Sequence, residues 1–170
     1  PDLIVMGTRG RRPNNELIGS VAAEVIETSS TPVMAIPAMS TSTELKRIAF
    51  LTNFDQKDLI AIDKAIELFG KHNPELFFVH ASDKNNAWNE VMLEGIKSYF
   101  KNHYPGINTN YSIIASNDSP ETIEDFLQAN KIDLLAFNTR KRLFLSRLFN
   151  PGLAYKLVLN TNTMLFATHI

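Results

Sequence analysis

Two stretches of this chain, separated by most of its length, are written in nearly the same way. Asp2-Leu-Ile-Val-Met-Gly-Thr-Arg-Gly-Arg11 aligns with Asp133-Leu-Leu-Ala-Phe-Asn-Thr-Arg-Lys-Arg142, and Pro32-Val-Met-Ala-Ile36 aligns with Met164-Leu-Phe-Ala-Thr168. The offset is 131 residues in the first alignment and 132 in the second, so the earlier loop is one residue shorter. Short apolar runs match by chance, but Thr-Arg-x-Arg following both of them is a far more restrictive coincidence. Self-similarity at a fixed offset means the same part of two equivalent folding units. The expectation is that residues 1–38 are the carboxyl-terminal part of one unit. Residues 39–44, around Ser40, Thr41, Ser42 and Thr43, are then a polar linker, and 45–170 a complete second unit. The chain opens at Pro1 inside a strand-like run, which reads as the remnant of a longer protein.

Between the repeats, short apolar runs alternate with amphipathic segments. Leu3–Met6 reads as a strand buried on both faces and Pro32–Pro37 as another buried strand; Arg47–Thr52, Glu75–His80, Thr109–Ala115 and Asp133–Phe137 read as further strands, with a last strand at the end of the chain. Four segments have helical spacing. Ser20–Thr28 places Val21, Val25 and Ile26 on one side, and Asp58–Lys71 uses Leu59, Ile62, Ile66 and Phe69. Asn86–His103 uses Val91, Met92, Ile96 and Phe100; a fourth opens at Ser119-Pro120, N-cap and first-turn proline, and buries Ile123, Phe126 and Leu127. Strands joined by helices need right-handed crossovers and a parallel sheet covered on both sides. The fold class is therefore doubly wound α/β.

Composition narrows the chemistry. There is no cysteine, which removes disulfides, thiolate nucleophiles and zinc–cysteine sites. A net charge of −1 gives no overall field toward nucleic acid or acidic lipid. No apolar stretch approaches the roughly 20 residues a membrane span needs, so the cytoplasm is the expected location, with neither nucleic acid nor membrane as partner.

The segment after the first strand has a chemistry of its own. Gly7-x-x-Gly10, eight further residues and Gly19-Ser20 lead into a helix. Glycine lets a backbone turn tightly and approach an anion, and unpaired N–H groups at a helix start favour negative charge. Ser20 adds a hydroxyl, and Arg9, Arg11 or Arg12 can make charge-assisted bonds to phosphate oxygens. An ordinary glycine turn with solvated arginines fits the same spacing.

These residues resemble a known family. Asp2-Leu-Ile-Val-Met-Gly-x-x-Gly, then Gly19-Ser20-Val21-Ala22, then Pro32-Val-x-x-Ile-Pro37 is similar to the carboxyl end of universal stress proteins, of the tandem type once the repeat is counted. The resemblance implies a five-stranded sheet of order 3-2-1-4-5 with helices on both faces. It implies a regulatory, stress-response role and ATP bound through Gly7, Arg9, Gly10, Gly19, Ser20 and Val21. The family spaces its second and third glycines by nine residues; here eight separate Gly10 from Gly19. It also implies antiparallel pairing of the two final strands, Val33–Ile36 against Leu165–Thr168. The outer edge of the first strand then calls for a homo-oligomer or an upstream segment. The second copy is degenerate at the matching positions, with Asn138, Lys141 and Pro151-Gly152 for the glycines and serine, and Asn53 where the family has Asp. Its crevice is expected between Asn53 and Asn138. The other readings are a scaffold without nucleotide, and an ATP-hydrolysing enzyme, for which no general base stands out beside the loop.

Other clusters read more plainly. His72, His80, His103 and His169 show no metal-ligand spacing and read as polar groups at strand and helix ends, and no metal is expected. Asp58 and Asp63 share a helix with Lys57 and Lys64 and read as a solvated face. Arg140, Lys141, Arg142 and Arg147, interleaved with Leu143, Phe144 and Leu148, read as wet charges over inward apolar side chains. Trp88, Tyr99 and Phe100 read as core or interface aromatics.

Overall fold

The computed structural model describes residues 1–8, 20–38, 40, 44–82, 86–115, 120–139 and 162–169. Its strands are β1 (Ile4–Gly7), β2 (Val33–Ile36), β3 (Arg47–Leu51), β4 (Glu75–Ser82), β5 (Thr109–Ala115), β6 (Leu134–Asn138) and β7 (Met164–Thr168). The helices are α1 (Ser20–Thr28), α2 (Gln56–Phe69), α3 (Ala87–His103) and α4 (Pro120–Ala129), with one 3-10 turn at Gly70–His72.

The strands form one sheet of order β1-β2-β7-β6-β3-β4-β5. The expected count of five is thus corrected to seven. The reason is local: β2 joins β7 antiparallel, so the first two strands extend the sheet of the other five, whose own pairings are all parallel. Within those five the order is the expected 3-2-1-4-5, counted from β3 as the first.

The repeat has a counterpart in register. Ile4 stands opposite Val33, and their sequence equivalents Leu135 and Leu165 stand opposite each other. Beyond the strands, the Thr8 N–H donates to the Ile36 carbonyl at 3.0 Å and the Thr139 N–H to the Thr168 carbonyl at 2.7 Å. The β2–β7 ladder is itself symmetric. Val33 faces Ala167, Ala35 faces Leu165, and Met34 faces its own equivalent Phe166, so a local pseudo-twofold axis passes between Met34 and Phe166.

Side chains alternate across the sheet and build two cores. Ala22 and Ile26 of α1 and Ile123 and Leu127 of α4 pack with Val33, Ala35, Leu51, Leu135 and Leu165 on one face. Ile62 and Phe69 of α2 and Ile96 and Phe100 of α3 pack with Ile48, Phe50, Phe78, Leu134 and Phe166 on the other. Successive residues of a strand point to opposite faces, so β7 gives Leu165 and Ala167 to one core and Phe166 to the other.

Two apolar expectations, Val21 and Val91 on buried helix faces, are corrected, and Trp88 is not a core aromatic. Val21, Val91 and Trp88 are 62%, 57% and 66% exposed. α1 seats itself through Ala22, Ala23 and Ile26, with Val25 partly buried against the same core, so of the expected face Val21 alone lies outside it. Trp88 and Val91 lie on the outer side of α3, which is anchored by Asn89, Ile96 and Phe100.

Candidate functional site

In a βαβ crossover the loop leaving the first strand, and the helix start that it leads to, lie at the carboxyl ends of the parallel strands. β1 ends at Gly7, opposite Ile36, and α1 begins at Ser20. The glycine loop therefore connects the carboxyl edge of the β1–β2 pair to the α1 N-terminus. Gly7 is exposed. A Cβ built on it would come no closer than 3.9 Å to the Ile36 carbonyl oxygen, an ordinary contact. Nothing described inside the chain demands a glycine there, and its lack of a side chain leaves the strand end open. Arg9, Gly10 and Gly19 lie outside the described residues, as do Lys141, Pro151, Gly152 and the basic cluster at 140–147. Val21 is exposed beside the helix start.

The second crevice is described in more detail. β3 and β6 are parallel neighbours with Leu51 opposite Phe137, which brings Asn53 and Asn138 to the same sheet end at the point where strand order reverses. Beneath them is a cavity of about 10 Å³ lined by Leu51, Asp58, Ile62, Phe137, Asn138 and Thr168, among others. That is room for about one water molecule. A larger cavity, about 410 Å³, lies elsewhere, beside α2 and the β2–β7 seam, and is lined by Pro32, Ile60, Lys64, Glu67, Thr168 and His169, among others.

A polar knot that the sequence reading missed closes the end of β3. Asp58, expected on a wet helix face, is 5% exposed. One oxygen of its carboxylate accepts from the Thr52 hydroxyl at 3.0 Å, the Asn53 N–H at 2.8 Å and the Asp55 N–H at 3.2 Å. Asp55 is the N-cap of α2 and Asp58 its third residue, so the two form a capping box. Only one helix turn separates Asp58 from the cap, and that turn folds it back under the strand end. Burial pushes its carboxyl above the ordinary range, against the pull of the hydrogen bonds from Asn53, Asp55 and Thr52.

His80 Nδ1 bonds the Thr52 carbonyl at 2.8 Å, and the Phe54 ring lies 4.2 Å from the imidazole. Burial pushes the His80 imidazole down, opposed by that hydrogen bond and by Asp58. Phe54 has φ 61°, a left-handed conformation that costs a non-glycine residue energy. Its N–H is held by the Thr52 hydroxyl at 3.0 Å. The signal available in the sequence was the Asp-x-x-Asp spacing after a strand, read instead as charge against two lysines. Asp63, also expected to be solvated, accepts from Tyr104 at 2.7 Å and Tyr99 at 3.2 Å, tying α2 to α3. Burial and then Asp63 push the Tyr104 hydroxyl up to about 12. Among the described residues no group of three His, Asp or Glu could hold a metal ion, and no helix is long and apolar enough to cross a membrane.

The glycine loop's segment carries a family signature. Residues 1–37 match the sequence model of the universal stress protein family. No curated protein matches the chain in sequence. Among solved structures, a universal stress protein from Archaeoglobus fulgidus is 18% identical with a TM-score of 0.76; the match takes in 99% of this chain and 60% of that one. The chain therefore spans about three fifths of that protein's length. A universal stress protein in complex with cAMP is 17% identical, TM-score 0.58, over 75% of this chain and 98% of that one. A protein of the same family from Burkholderia pseudomallei is 12% identical, TM-score 0.52, over 76% of this chain and 98% of that one. At these identities the likeness is one of fold. The α/β architecture with a mostly parallel sheet is that of universal stress proteins.

Proposed function

We propose that this chain is part of a tandem universal stress protein, a regulatory module that binds a nucleotide, ATP, through the loop between β1 and α1. The observation that carries the proposal is the Gly7-x-x-Gly10…Gly19-Ser20 loop, inside the segment matching the family. It joins a parallel strand end to a helix start, where free N–H groups attract phosphate. Gly7, Gly10 and Gly19 provide close backbone approach, Ser20 a hydroxyl, Arg9 a counter-charge, and Val21 an apolar flank. The solved relative that holds cAMP favours a nucleotide as the ligand class.

The equivalent registers of β1–β2 and β6–β7 support two units, 1–38 and 45–170, with 39–44 between them and paired final strands. The share of this chain matched by the cAMP-bound relative, 75%, is close to the 126 of 170 residues, about 74%, that make up 45–170. Asp133 receives the backbone N–H groups of Lys46 and Arg47, both at 2.9 Å, across from β6. Its repeat equivalent Asp2 is exposed, beside a strand for which only β2 is described as a partner. The proposal therefore gives β1 a further parallel neighbour, from an upstream segment or another chain. In the second unit, Asn53, Asn138, Lys141, Pro151 and Gly152 make a degenerate site, and the unit serves by pairing. A cytoplasmic location belongs to the same reading.

Titration calorimetry with ATP tests it. Binding that Gly10→Val or Gly19→Val abolishes, and Asn53→Ala leaves unchanged, is the expected outcome. No heat from the folded chain, or binding indifferent to both glycines, refutes the site. ATP turnover lost with either glycine would convert the reading to an enzyme.

A further inference from the structure

Resting on the nucleotide reading above, we propose that His169 is a positioning residue for the β1–α1 loop, acting from the other half of the chain. Its Nε2 bonds the main-chain carbonyl of Ile26, in the last turn of α1. A carbonyl only accepts, so Nε2 carries the hydrogen. The last carbonyls of a helix have no intrahelical donor, and a histidine near a helix C-terminus is a fitting partner for them. The Val25 carbonyl is satisfied by the Ser29 N–H at 3.0 Å; that of Ile26 is satisfied by an imidazole 143 positions later in the chain. The other ring nitrogen, Nδ1, is buried with no partner among the described residues. The described polar tie of this imidazole is thus the one to α1.

The pseudo-twofold axis supplies an internal control. The 132-residue offset relates His169 to Pro37, which has no side-chain donor. The tie therefore runs in one direction, from the end of β7 to α1.

Ile26 is itself fully buried, and the bond to the half-buried His169 is partly shielded from water. Along a helical axis Ile26 and Ser20 are separated by about 9 Å, a stiff rod. Gly7 is fixed by its ladder to Ile36. Holding the far end of α1 thus sets the direction of its N-terminal N–H groups relative to Gly7. Phosphate contacts tolerate displacements of only about 0.5 Å. Without the tie, α1 would rest on Ala22, Ala23, Ile26 and the partly buried Val25, short side chains along one line that allow it to pivot. The half with the altered loop thus supports the loop of the other half.

The test compares the wild-type 170-residue chain with His169→Ala, His169→Gln and a chain ending at Thr168. ATP affinity is measured by calorimetry well below the unfolding temperature, and hydrogen exchange is followed along α1. Alanine and the truncation are expected to weaken ATP binding about fivefold, the worth of one hydrogen bond, and to speed exchange in α1 but not in β3–β6. Glutamine, whose amide can donate to the same carbonyl, should recover most of the affinity. Lower melting temperatures with unchanged ATP affinity in the folded variants would assign His169 a structural role only and overturn the proposal. If the wild-type chain takes up no ATP, the nucleotide reading fails by itself. Exchange then decides: faster α1 exchange in both His169→Ala and the truncation keeps the tie, and unchanged exchange removes it.

Discussion

Replacing Asp58 separates hydrogen-bond geometry from charge at the end of β3. Its carboxylate oxygen is the common acceptor for the Thr52 hydroxyl and the Asn53 and Asp55 N–H groups. In Asp58→Ala all three donors lose their partner in a site that is 5% exposed. At about 1 kcal/mol for each lost bond, the expected destabilisation is about 3 kcal/mol. For a chain of this size that is a fall of roughly 6–12 °C in melting temperature. Asp58→Asn keeps an oxygen in the same place without the charge. Burial raises the carboxyl despite three hydrogen bonds, so the fold disfavours the charge more than those bonds reward it. The asparagine variant should therefore lie within about 1 kcal/mol of wild type at pH 7. The sign follows from linkage. A raised folded value stabilises fully below the unfolded value and is lost as pH rises through the folded one, so the contribution of Asp58 grows on acidification toward pH 4, and it is read as the difference between wild type and Asp58→Asn, which lacks it. Urea unfolding followed by far-UV circular dichroism is the suitable assay, because the single tryptophan, Trp88, is 66% exposed and a poor reporter of burial. An asparagine variant as damaged as the alanine one, or an alanine variant within 1 kcal/mol of wild type, would refute this reasoning.

Two further outcomes follow from the same kind of accounting. Lys131 has φ 51° after α4, with Ile132 N–H bonded to the Leu127 carbonyl at 2.9 Å and Lys131 N–H to that of Gln128 at 3.1 Å, the pattern of a left-handed helix stop. Lys131→Gly should raise stability by about 0.5–1 kcal/mol in urea melts, and a loss would contradict the assignment of strain. His80 is held below its ordinary value of 6.5 by burial; a lowered folded value gives stability that is present above the unfolded value and lost as pH falls through the folded one. Urea midpoints should therefore fall between pH 7 and pH 5 in wild type and fall less in His80→Gln; parallel slopes would remove His80 as the cause.

The central strands were legible because β3, β6 and β7 are largely apolar and buried on both faces; β1, expected to be buried likewise, has Val5 57% exposed because it lies at the sheet edge. The repeat then carried the topology further than periodicity can, since equivalent segments imply equivalent neighbours, as Ile4–Val33 and Leu135–Leu165 do. Side-chain burial within helices was less readable. Val21 and Val91 satisfy the helical spacing of their neighbours, yet alanines and an asparagine hold the buried line. The Asp58 knot was hidden because a charge beside two lysines looks wet, and its burial depends on a strand end brought over it by tertiary folding. The left-handed Lys131 carries no glycine to advertise it. The glycine loop was legible from the spacing of Gly7, Gly10 and Gly19 alone.

The ladder between β2 and β7 has a consequence for assembly. A strand that pairs antiparallel about a symmetric centre can pair with its own kind, so β7 of one molecule competes with β2 for β7 of another. Tethering settles the contest: two strands in one chain meet at an effective concentration in the millimolar range, far above that of a foreign chain in dilute solution.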